Sequence, residues 1–197
     1  MLGEFTSDEG LVAQLRSIAA AFDATNGFRQ VVGGFHIIAA VAQASPTADG
    51  TYLARIAPET IEHYIQLAEI YDLVLFLDVQ MGHSTVDREL EPLLPYLANP
   101  RVHLALDPEW ATPAGQAPGT VIGGMDASAI NRAQEILEAV ARDNGLPSKI
   151  LVVHQFIASM IRDKSELQNY PDVDLLVMMD GFGGREIKLS HYLAYAA

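Results

Sequence analysis

The chain reads as a parallel α/β protein, and three observations predict this. Apolar runs near Phe35 to Ala42, Leu73 to Val79, Val102 to Leu106, Ile150 to Val153 and Leu175 to Met179 alternate with helical stretches, the pattern that builds a parallel sheet through right-handed crossovers. Within these runs nearly all residues are apolar, as in strands covered on both faces. Four runs then end abruptly in polar residues: Asp78 and Gln80; Asp107, Glu109 and the single tryptophan Trp110; His154 and Gln155; Asp180 and Gly181. Four such endings argue for a shared rim at the carboxyl ends of the strands, where α/β folds place their chemistry.

The elements follow in order. Thr6 and Glu9 have capping-box spacing, and Leu11, Val12, Leu15, Ile18, Ala19 and Phe22 then recur on one helical face, so a helix is expected over about Ser7 to Asp23. Asn26-Gly27 ends it. A buried strand follows from about Phe35, then a loop at Ser45 to Gly50, and Pro58 fits the first turn of a helix reaching about Ile70. The second unit is the strand ending in Asp78, a loop at Met81 to Thr85 and a helical stretch from Val86 to Leu97, which Pro92 and Pro95 should kink or break. The third pairs the strand ending in Asp107 with a Pro/Gly-rich loop and a helix that Asp126 caps and Asn144-Gly145 stops. A fourth strand leads to a short helix expected near Ile157 to Ile161. The fifth leads to Gly181 to Gly184 and the beginning of a further helix after Lys188.

Composition narrows the function. A chain of 197 residues, 50% hydrophobic, is long enough for one core, and a single domain over 1–197 is expected. Its net charge of −13 disfavours nucleic acid and anionic membrane surfaces as partners. There is no cysteine, which excludes disulfides, thiolate nucleophiles and Cys-ligated zinc. Nor is there an apolar stretch long enough to span a bilayer, or a basic-then-apolar export signal at the start. Localisation therefore stays open.

Two architectures suit such repeats. A doubly wound sheet usually carries a Gly-rich nucleotide loop after its first strand, whereas Gly33-Gly34 here precedes it. A barrel places polar residues at nearly every strand end, as this chain does, but a complete one needs roughly 250 residues. The expectation is therefore a TIM-barrel-like fold of parallel (β/α) repeats, a partial barrel of about five to six strands. Its first and last strands would expose unpaired edges, so edge-to-edge association into a homo-oligomer, or helices covering the edges, is expected.

At LALDPEW (104–110), LVVHQF (151–156) and MMDGFGG (178–184) the chain resembles a family of uncharacterised actinobacterial and related bacterial proteins, often labelled lipoproteins, with a TIM-like barrel as their expected fold. The likeness covers nearly the whole sequence. It implies that the chain is the central part of such a barrel, with another strand before Leu2 and more after Tyr192, and that relatives are exported. It also implies that Glu109 ends the fourth strand, where many barrel glycosidases hold the proton donor.

The rim residues suggest the chemistry. Asp107 and Glu109, two apart on an extended segment, would project together as a carboxylate pair able to act as acid and base, and Trp110 beside them offers a stacking face for a sugar. The bland alternative makes Asp107 a turn cap, Glu109 solvated and Trp110 a plug. Asp78 is too costly to bury without a partner. His154 and Gln155 supply an imidazole and an amide, and Asp180 a carboxylate next to flexible glycines. The leading reading is glycoside hydrolysis, with Glu109 as donor, Asp107 or Asp180 as acidic partner, and Trp110, Asp78, Gln80, His154 and Gln155 binding substrate. No resident cofactor is expected under that reading. A metal-dependent hydrolase using His154 and the carboxylates, with a divalent ion, is the first alternative. A non-catalytic carbohydrate or cell-wall binding module is the second. His36, early in its strand, is expected to be a core histidine, and His83 an exposed loop residue.

Overall fold

In the computed structural model, residues 7–27, 29–179 and 183–195 are described. They form a mixed α/β fold around a mostly parallel six-stranded sheet. The elements are α1 (Asp8–Asp23), β1 (Gly34–Ala42), β2 (Leu53–Arg55), α2 (Pro58–Tyr71), β3 (Val74–Gln80), α3 (Val86–Leu90), α4 (Leu94–Leu97), β4 (Val102–Asp107), β5 (Met125–Asp126), α5 (Ala127–Asn144), β6 (Lys149–His154), β7 (Ile161–Arg162), β8 (Val173–Met178) and α6 (Arg185–Tyr195). The main sheet runs β2-β1-β3-β4-β6-β8, and a two-stranded sheet pairs β5 with β7.

Every neighbour pair of the main sheet is parallel except β1 with β2. From β1 onward the order follows the chain and never reverses, unlike the doubly wound pattern. Right-handed crossovers that always step the same way leave their helices on one face. There α2 packs on β1 and β3, α4 on β4, and α5 on β6 and β8, burying Leu75, Leu77, Leu104, Leu106, Leu151 and Val153 completely. The strand period of two sends His36, Phe76, Asp78, Gln80, His103, Ala105, Asp107, Val152 and His154 to the opposite face. β4 lies at the centre of the parallel run, which is why all five of its residues from Val102 to Leu106 are buried. Among the described residues the sheet is edged by β2 and β8.

Most element boundaries match the local sequence signals. α1 is capped by Ser7, whose hydroxyl accepts from the Gly10 amide at 3.2 Å; Thr6 of the expected capping box lies outside the described residues. Pro58 starts α2, and Gly145, in the left-handed region at φ 62°, ends α5. The stretch from Val86 to Leu97 is broken as its prolines require, into α3, a 3₁₀ turn at Glu91–Leu93 and α4.

Two expectations are corrected. Ile157 to Ile161 is no helix. It holds a 3₁₀ turn at Ala158–Met160 and then β7, because Ile161 and Arg162 take strand partners instead, Met125 and Asp126 of β5. The segment before α2 contains β2, three residues antiparallel to β1 that cover the outer edge of β1; a strand rather than a helix shields that edge.

Candidate functional site

The carboxyl-terminal halves of β1, β3, β4 and β6 converge on a buried carboxylate. Asp78, on β3, is 4% exposed, and its Oδ2 lies 2.7 Å from His36 Nε2 and 3.6 Å from His154 Nε2. The two imidazole centroids are 5.5 Å apart, although β1 and β6 stand three strand spacings apart, about 14 Å in a flat sheet. Side chains leaning inward across a concave face close that gap. In register with Asp78 on β4 is Ala105, fully buried, whose small side chain leaves room for His154 to reach over the strand.

His36 therefore corrects the sequence reading. It is no core histidine: its side chain is 36% exposed and bonded to Asp78. Although it pairs in register with Phe76, it reaches diagonally to the residue two places on, a contact set by register between strands that the chain's own pattern does not announce. His83 is corrected as well. It is half-buried, and its Nε2 lies 3.1 Å from Thr112 Oγ1 and 2.9 Å from the Gln116 carbonyl, tying the loop after β3 to the loop after β4.

Asp107 ends β4 with its side chain on the same face. Gln80 is locked above it: its Oε1 accepts from the Ala42 amide at 2.8 Å, and its Nε2 points to Asp107 Oδ2 at 3.5 Å. The chain then turns. Pro108–Trp110 is a 3₁₀ helix, so Glu109 does not continue the strand alternation, and the expected parallel projection of Asp107 and Glu109 is lost because Pro108 ends the ladder. Glu109 is still near enough to act on Asp107 electrostatically, while its carbonyl accepts from the Gly123 amide at 2.6 Å. Gln155, 1% exposed, faces away from Asp78 into another network, where its Oε1 accepts from Lys164 Nζ at 2.6 Å. Asp180 lies outside the described residues.

The electrostatics separate the two aspartates. Burial opposes ionisation of Asp78, yet hydrogen bonding and charge attraction from His154 and His36 outweigh it and hold the carboxyl below the usual range. Asp107 is pushed up to about 7, first by burial, then by repulsion from Asp78 and Glu109, with His154 and Trp110 pulling partly the other way. A carboxylate kept ionised beside one poised near neutrality is the division of labour expected of an acid/base site.

The donor set also suits an ion. His36, Asp78 and His154 each offer one ligand atom, and these atoms all lie within 4.8 Å of one another. Around a tetrahedral zinc, ligand atoms sit about 3.4 Å apart, so small side-chain movements would seat one. Asp78 Oδ1 is buried with no hydrogen-bond partner among the described residues, an omission that proteins seldom leave without reason.

The chain was also compared with known proteins. No protein-family description, curated protein or solved structure matches it.

Proposed function

We propose that the chain is a hydrolase in which His36, Asp78 and His154 hold a divalent cation and Asp107 carries the proton. The observation that supports this best is the buried Asp78 carboxylate set between two imidazoles with its second oxygen unpartnered among the described residues. Two nitrogens and one oxygen are a usual catalytic zinc set, which keeps a further position open. Bound there, the ion supplies Lewis acidity toward a substrate oxygen and acidifies water. Asp78 remains ionised and orients the imidazoles. Asp107, near the midpoint of its titration at neutral pH, can accept a proton and return it to the leaving group, and Gln80 fixes its carboxyl. Equilibrium dialysis against Zn²⁺ and Mn²⁺ tests the reading. One ion per chain is expected, bound at least tenfold more weakly by His154→Ala and Asp78→Asn. A chain that retains no ion overturns the reading.

A second reading is favoured by the divergence of Asp78 and Asp107. Such a pair also serves glycoside hydrolysis, with Asp107 rather than Glu109 as the proton donor. Polysaccharide hydrolysis that persists in chelator and disappears in Asp107→Asn would select it over the metal reading.

The architecture behind either reading is, we propose, a barrel segment. Strands ordered as in the chain, helices on one face and polar residues on the other support it, and the site then lies on what would be the barrel's inner wall near its carboxyl end.

A further inference from the structure

We infer that this site acts on an uncharged carbonyl or acetal substrate, an amide, ester or glycoside, and turns away phosphate esters and carboxylates. The inference rests on the hydrolase reading above and adds the charge of what enters. It starts from the carboxylates gathered there. Asp78 lies within the proposed ligand set, Asp107 stands on the neighbouring strand two residues beyond Ala105, the register partner of Asp78, with its Oδ2 3.5 Å from Gln80 Nε2, and Glu109 follows in the turn that ends that strand. The charges of Asp78 and Glu109 already match that of a dication, and ionisation of Asp107 tips the whole negative. A phosphoryl dianion would find no surplus of positive charge to balance it, whereas sites built for phosphoryl groups surround them with arginine, lysine or paired metals.

Arg16, Arg55, Arg88, Arg101, Arg132, Arg142, Lys149, Arg162 and Lys164 are engaged elsewhere, and Arg29, Arg185 and Lys188 have no side-chain partner among the described residues. All 12 lysines and arginines fall within the described residues. The arginines in ion pairs among those residues face Asp49, Glu89, Asp72, Asp87, Glu135, Asp143 and Asp126. Lys149 is spent on the carbonyls of Asn99 and Val102 at the opposite end of the sheet. Lys164 approaches the rim through Gln155, but its ammonium is held between Gln155 Oε1 and the Tyr195 carbonyl at 2.6 and 2.8 Å. With a net charge of −13, the long-range field repels anions before they arrive. Neutral amide and hydroxyl groups suffer no such penalty.

Calorimetric titration of the zinc-treated chain with two probes, inorganic phosphate and N-acetylglucosamine, tests the inference. Saturable binding of the sugar at least tenfold tighter than phosphate is expected. In Glu109→Lys phosphate should bind at least tenfold tighter than to the unaltered chain, and in Glu109→Gln by a smaller factor in the same direction. Phosphate binding as tight as the sugar, silence toward the sugar, or no gain in either variant overturns the inference. Zinc stoichiometry, read separately by dialysis, decides the metal reading on its own. The probe comparison is equally decisive without the ion, because the carboxylates remain.

Discussion

Asp107 carries an energetic cost that its surroundings impose. With its carboxyl at about 7 in the fold against an ordinary 3.8, the folded chain holds the proton more tightly than the unfolded chain between those values. Stability contributed by this group therefore falls as pH rises from about 4 to 7 and stays low above. Asp107→Asn removes the ionisation, so the variant should melt a few degrees higher than the unaltered chain near pH 8 and about equally near pH 4, while losing turnover. Equal melting at both pH values would refute this. His103 shows the opposite dependence. The Ile150 amide donates to its Nδ1 at 3.1 Å, which requires a lone pair there, and burial and then repulsion from Lys149 lower its pKa to about 4. The unfolded chain protonates first, so this contribution to stability is lost as pH falls from about 6.5 through 4. His103→Phe should cost about 1–3 kcal/mol at neutral pH, chiefly from the orphaned Ile150 amide, as denaturant titration would read. At this scale the sequence marked most members of the candidate site. Asp78, Gln80, Asp107 and His154 each follow an apolar run and announce themselves by contrast. His36 did not, because its significance arises only from its diagonal reach to Asp78 on the neighbouring strand.

Among the elements, β4 governs the geometry. Flanked by β3 and β6, it must let two side chains meet across its own width, and Ala105 permits this. Ala105→Leu should weaken zinc binding at least tenfold with the fold retained, since an overpacked methyl group costs typically 1–3 kcal/mol. Unchanged affinity would show that His154 does not depend on that space. The β5–β7 pair matters differently, because it ties the loop after β4 to the segment after β6. A Cβ at Gly124 would collide with the Ser159 carbonyl, so Gly124→Ala should increase protease cleavage within the loop spanning 111–124 while sparing the main sheet. The long strands and helices were legible because apolar runs, prolines and the Asn144-Gly145 stop mark them. β2, β5 and β7 were not, since strands of two or three residues carry no periodicity and form only when tertiary contacts bring their partners close.

For the whole molecule, the two faces of the sheet differ in kind. One is sealed by helices; the other carries the site and, toward β8, the exposed Leu176 at 50% and Met178 at 37%. Beyond β8 the sheet has no further strand among the described residues, and α6 buries no side chain of its own. An apolar edge of this sort favours self-association. Light scattering should report a species larger than one chain, shifted toward the monomer by Leu176→Lys; a monomer at all concentrations would exclude association through this edge. No helix among the described residues is long and apolar enough to cross a membrane.

The strand order has one more consequence, for how the chain is made. Each parallel strand pairs with the parallel strand synthesised just before it, β1 with β3, β3 with β4, β4 with β6 and β6 with β8. The sheet can thus grow vectorially as the chain leaves the ribosome, each new strand docking on the neighbour already in place. His36 and Asp78 are in place early, but His154, the third member of the candidate donor set, arrives only with β6. The three side chains that could hold an ion are therefore brought together only once residue 154 has emerged and found its strand.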